Sequence, residues 1–195
     1  MSGVTILIAA AAASPTSVHV MHEFTRCVVA RRPEEARRVL RLDHRDFGTW
    51  QARNDLTQRN RTCLPRGGGR LSFAGVLLAG GLAEALVERG RTSAEIGQAL
   101  TRRPDEPAIV ARGPSEVLSL CTALRASAET AALMASPPAS EAEDFAVARL
   151  MPTVEACVEQ GQQARLNKPG LRALMAIAAW RIVDARAQRE GTPDA

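Results

Sequence analysis

The placement of four cysteines constrains this chain more than any other feature. Cys27 and Cys63 lie 36 positions apart, Cys121 and Cys157 are again 36 apart, and each member of the second pair follows its counterpart by 94 positions. There are no other cysteines in the 195 residues. A pair that recurs with its spacing intact points to two copies of one unit. Four cysteines allow three disulfide connectivities, and spacing alone does not choose among them. If each copy carries its own staple, the bonds are Cys27–Cys63 and Cys121–Cys157. Closing a loop of this length stabilises by about 4 kcal/mol in a chain-entropy estimate. Two disulfides require an oxidising compartment, so the expected location is periplasmic or secreted. In the alternative the cysteines are free, small core residues of a cytoplasmic protein. No C-x-x-C and no Cys/His group at ligand spacing occurs, so no metal and no cofactor is expected.

The apolar set decides what the units are made of. Hydrophobic residues are 46% of the chain but aromatics only 3%, with no Tyr. Ala and Leu dominate and β-branched residues are sparse, a balance that favours helices over strands. The expected fold is all-α, a bundle of two pseudo-repeated, disulfide-stapled helical units. Residues 14–103 form the first unit and 104–195 the second, each large enough for a modest core.

In chain order, Met1 to Ala13 is an apolar segment. Its run from Val4 to Ala13 is too short to span a bilayer and suits the core of a secretory signal, although no Lys or Arg precedes it. The spacing of Val20, Phe24, Cys27, Val28 and Arg31 predicts a first helix over Val18 to Arg31 with these residues on one face. Pro33 opens a short second helix burying Ala36, Val39 and Leu40. A third runs from Thr49 to Cys63, anchored by Trp50, Leu56 and Cys63. Phe73 to Arg89 is the most apolar, and Gly75, Gly80 and Gly81 are tolerated in it where another helix packs closely. Gly90 stops it, and Thr92 with Glu95 forms a capping box for a further short helix. Arg102 to Gly113, with Pro104 and Pro107, is the linker. The second half repeats the plan: Ser115 to Ala126, Ala128 to Met134, a helix capped by Ser140 and Glu143 with Pro152 kinking or splitting it, and a last helix from Pro169.

Candidates for chemistry are few. His19 and His22 sit one turn apart but have no third ligand placed by spacing, and they read as exposed histidines near a chain start. Arg66, Gly67, Gly68, Gly69 and Arg70 offer guanidinium groups and bare backbone N–H groups ahead of a helix, the parts of an anion site. They lack the Gly-Lys-Ser/Thr of a phosphate-binding loop and no strand precedes them. No G-x-S-x-G accompanies the histidines, and no catalytic residue is assigned. Glu34 with Glu35, and Glu141 with Glu143 and Asp144, fall in first helical turns, where complementing the helix dipole suffices as their role. The first half, Val20 to Arg112, carries a net +6 and the remainder from Gly113 −2. That asymmetry admits an anionic partner or surface. The arginines are interleaved with acids and aromatics are scarce, which argues against nucleic acid.

The segments FTRCVVARRPEEARRVL (Phe24 to Leu40), Cys63 to Gly69, LLAGGLAEALVER (Leu77 to Arg89) and LNKPGLRALMAIAAWRIVDA (Leu166 to Ala185) together resemble a group of uncharacterised exported helical proteins of sphingomonad-like α-proteobacteria. The resemblance implies export and a helical fold. It carries no activity and no functional residues to transfer. The function expected is a non-enzymatic, exported interaction or structural protein. The alternatives are a binding module for an anionic partner through the Arg-rich first half, and an enzyme whose site is assembled from scattered polar residues.

Overall fold

A computed structural model describes residues 15–43, 47–64, 75–158 and 166–191. Among these residues there are nine α-helices and no strand. They are α1 (Pro15–Arg31), α2 (Pro33–Arg41), α3 (Phe47–Arg59), α4 (Gly75–Glu88), α5 (Ser93–Leu100), α6 (Pro114–Arg125), α7 (Ser127–Ala135), α8 (Glu141–Cys157) and α9 (Lys168–Glu190), with a 3-10 turn at Arg61–Cys63. The all-α, disulfide-stapled expectation is met. The segment Met1 to Ala13 and the loop Arg66 to Arg70 lie outside the described residues.

The most apolar helix of the first half, α4, packs along α9, and this pair is the spine of the fold. Helices α1 and α2 flank α4, while α6 and α7 flank α9. Helix α5 bridges to α7 and α9. The close approach at the spine depends on Gly80: a Cβ there would stand 2.4 Å from the Cα and Cβ of Ala173. At Gly81 a Cβ would stand 2.7 Å from Thr25 Oγ1, so α1 also lies tight against α4. The tolerance of glycine in this helix therefore has the packing cause expected. Phe24, Leu82, Leu86, Trp180 and Ile182 build the main core, and Leu118, Leu133, Leu150 and Met175 a second one beneath α8.

Cys27–Cys63 and Cys121–Cys157 lie at disulfide distance, with Cα separations of 5.6 and 5.9 Å. Each links the first helix of its half to the end of the third segment. A shift of 94 residues carries the bounds of α2 onto those of α7, the start of α3 onto that of α8, and the end of α1 onto that of α6. The backbone at the breaks corresponds too. Arg32 (φ −139, ψ 56) matches Ala126 (φ −126, ψ 55), Leu42 (φ −66, ψ 146) matches Ser136 (φ −76, ψ 140), and Leu64 (φ −77, ψ 144) matches Val158 (φ −74, ψ 127). The amide of Arg32 donates to Val28 O and that of Ala126 to Thr122 O, both at 2.8 Å.

The linker is tied down rather than loose. Arg186 of α9 donates to Glu106 (Nε–Oε1 2.8 Å), to the carbonyl of Thr101 (3.0 Å) and to that of Ala99. Arg112 donates to the carbonyls of Leu40, Arg41 and Leu42, filling acceptors that the end of α2 leaves open.

Three local expectations need correction. The buried face of α1 is Val18, Met21, Phe24, Thr25 and Val28, whereas Val20 and Cys27 are half-buried and Arg31 is exposed. Trp50 is 64% exposed, so Leu56 anchors α3 without it. Helix α8 runs unbroken through Pro152, so that residue does not split it. The capping box of α5 forms as expected, Thr92 Oγ1 accepting from Glu95 N and Glu95 Oε2 from Thr92 N. Gly90 stops α4 with φ +69.

Candidate functional site

The chemistry of this chain concentrates where α1, α4, α8 and α9 meet. Glu84 sits at the middle of α4 and is only 2% exposed. A carboxylate buried in so apolar a helix must find a cation or lose its charge. It finds Arg172, one turn into α9. Arg172 Nε donates to Glu84 Oε2 at 2.9 Å and Nη2 to Oε1 at 2.5 Å. Arg172 Nη1 donates to Glu143 Oε1 of α8 at 3.0 Å, and Nη2 also donates to the carbonyls of Met134 (3.0 Å) and Ser136 (2.9 Å). The guanidinium thus joins α4, α8, α9 and the end of α7.

On the other side, His22 Nε2 of α1 stands 2.9 Å from Glu84 Oε1. One turn further along both helices, Arg26 Nη2 donates to Glu88 Oε2 at 2.6 Å. His22 and Arg26 on α1, and Glu84 and Glu88 on α4, are each spaced i, i+4, which stacks them on facing sides. Donor atoms of His22, Glu84 and Glu88 all lie within 4.8 Å of one another. A cavity of about 20 Å³, lined in part by Val18, Met21, His22, Gly80 and Arg172, adjoins the group. It has room for about one water.

Burial works against the charge of Glu84. The hydrogen bonds from His22 and Arg172, with the positive charge of Arg172, outweigh it and hold the carboxyl below its usual range. For Arg172, burial is likewise the largest single influence and opposes the charge. Glu84 and Glu143 reverse it and raise the guanidinium further, so it stays a cation.

A second feature lies on the outer surface. A groove of about 360 Å³ runs beside α7 and α8, with Ala132, Pro137 and Phe145 among its walls. Phe145 is 66% exposed, and the guanidinium carbon of Arg149 stands 5.9 Å from its ring centre.

The structure places the sequence candidates unevenly. His19 is exposed, and His22 is not: it is half-buried against Glu84. The third histidine of the chain, His44, and the Arg66 to Arg70 loop lie outside the described residues. Glu143 does more than complement a helix dipole. Ser140 Oγ accepts from Glu143 N, but the Glu143 side chain turns to Arg172 and to Ala139 N instead of closing the box. Glu84, Glu88 and Arg172 were not singled out from sequence. The available signal was one charge of each sign inside two otherwise apolar helices, LLAGGLAEALV and GLRALMAIAAW.

No family model matches this chain, and no match was found among the curated proteins or the solved structures. Among the described residues, no single helix is long and apolar enough to cross a membrane.

Proposed function

We propose that this chain is an exported, non-enzymatic interaction module built from two copies of one helical unit, each closed by its own disulfide. The duplication rests on the 94-residue shift that relates the cysteine pairs, the helix bounds and the break dihedrals. Export rests on the two disulfides, which persist in an oxidising compartment, together with the apolar run from Val4 to Ala13. The observation that carries the interaction role is Phe145. A chain with 3% aromatics leaves this ring 66% exposed beside an open groove. Exposed aromatics of this kind are enriched at protein interfaces.

An anionic partner finds less support. In the first half Arg26, Arg32, Arg37 and Arg41 are ion-paired with Glu88, Glu35, Glu34 and Asp184, so these cations are already engaged within the chain.

A photo-crosslinking amino acid at position 145, in an exporting host, tests the reading. The same label at Val110, 82% exposed and remote in sequence, serves as control. Position 145 is expected to give a discrete adduct that position 110 does not. No adduct, or the same adducts from both positions, overturns the interaction role.

A further inference from the structure

We propose that His22 Nε2, Glu84 Oε1 and a carboxylate oxygen of Glu88 form a binding site for one divalent transition-metal ion of the zinc type, completed by water. The site goes beyond the interaction role and does not depend on it.

The elements supply the three donors without rearrangement of the backbone. Glu84 and Glu88 are four apart on α4 and project to one side. The tight contact at Gly81 and Thr25 brings α1 close enough for the short reach of His22. The donors already lie within 4.8 Å of one another, and His22 to Glu84 is 2.9 Å. An ion with bonds of about 2.0–2.2 Å holds its ligands roughly 3–3.5 Å apart, so only the Glu88 side chain needs to turn inward.

The charge balance also suits a dication. Glu84, Glu88, Glu143 and Asp144 face Arg172, Arg26 and Lys168, so release of Arg26 leaves four carboxylates against two cations, an excess that one dication balances. Arg26 is the replaceable cation. Its side chain is 57% exposed, and exposed pairs of this kind contribute little. When the ion enters, Arg26 releases Glu88 and returns to water. Arg172 need not leave: it holds Glu84 through Nε to Oε2 and Nη2 to Oε1, and the ion takes the lone pair of Oε1 that now faces His22. Arg172 would then orient a metal-bound carboxylate from behind, a common outer-shell role. His22 and Glu88 lie at the rim, with side chains 14% and 15% exposed, which gives the ion a path. The adjoining cavity of about 20 Å³ accepts the water ligand. One imidazole and two carboxylates select a zinc-like ion over calcium or magnesium, which prefer oxygen alone.

The test is a zinc titration of the untagged, disulfide-bonded protein against a chromophoric chelator, with cobalt(II) absorption as a readout of coordination. One ion per chain is expected. Glu88→Gln and His22→Ala should each weaken binding at least about tenfold, the scale at which even outer-shell changes are felt. Arg26→Ala should tighten it about two- to fivefold, since an exposed competing pair of up to about 1 kcal/mol is removed. His19→Ala should leave it unchanged. Glu88 lies at the rim, so Glu88→Gln keeps the test usable if His22→Ala misfolds, with circular dichroism as the check. Absence of a stoichiometric ion, or binding that survives Glu88→Gln and His22→Ala in folded protein, overturns the proposal. Equal loss on His19→Ala would place the ion elsewhere and overturn it as well.

Discussion

Glu84 of α4 and Arg172 of α9 meet across the central helix pair, 88 residues apart in sequence and joined through both carboxylate oxygens. The contact belongs to the same helix pair that Gly80 brings into close approach. Burying two charges is costly, and a buried pair adds little over a well-packed apolar one. Its effect here is to fix register. Only one sliding position of α9 along α4 puts the guanidinium between Glu84 and Glu143.

Breaking the pair from one side should therefore be expensive. Arg172→Met leaves Glu84 and Glu143 without their cation and is expected to cost about 3–5 kcal/mol in denaturant unfolding. The triple change Arg172→Met, Glu84→Met, Glu143→Gln should recover a large share of that loss. Equal stability of wild type and Arg172→Met would show that the cluster is not holding the helices.

The pair also predicts a pH dependence. The folded-state pKa of Glu84 lies below its unfolded value, because the His22 and Arg172 contacts outweigh burial. A depressed carboxyl contributes stability that is present above the unfolded pKa and lost as pH falls through the folded one. The unfolded value is about 4.3 for glutamate. Wild type should thus lose stability relative to Glu84→Gln as the pH is lowered from there, with no change in the difference between pH 6 and 7 from this group. Unfolding curves of the two proteins across pH 3–7 check it. A difference that grows on acidification contradicts the assignment.

Two glycines in helices give a matched pair. Gly80→Ala drives a methyl into the Ala173 backbone, and neither helix can yield without moving the spine. A loss of about 1–3 kcal/mol is expected. Gly97→Ala in α5 meets Ala128 Cα at 3.7 Å, an ordinary contact. It should gain up to about 1 kcal/mol from helix propensity. Thermal unfolding of both variants distinguishes a spine contact from a general preference for alanine.

Much of the architecture was legible in local signals. The Thr92–Glu95 box and the Gly90 stop each act within a few residues, and the two cysteine pairs share one spacing. Gly80 and Gly81 marked a close helix contact without naming the partner, Ala173 or Thr25. The ionic cluster was hidden for a different reason. Glu143 follows Ser140 in a pattern that reads as a cap, and nothing nearby says that its side chain is claimed by Arg172, 29 residues on. His22 looked exposed because its carboxylate partner is 62 residues away. Trp50 looked like an anchor because size suggests burial, yet the polar residues around it on α3 leave that face in water. Pro152 was compatible with an unbroken α8 even though its missing N–H removes a helical bond.

The central claim is that each half is closed by its own disulfide in an oxidising compartment. Non-reducing intact mass and peptide mapping, with thiols alkylated at lysis, measure it directly on protein taken from the native host. The account predicts no alkylated cysteine, and linked peptides joining Cys27 to Cys63 and Cys121 to Cys157. Four alkylated thiols, or a bond joining one half to the other, would contradict it.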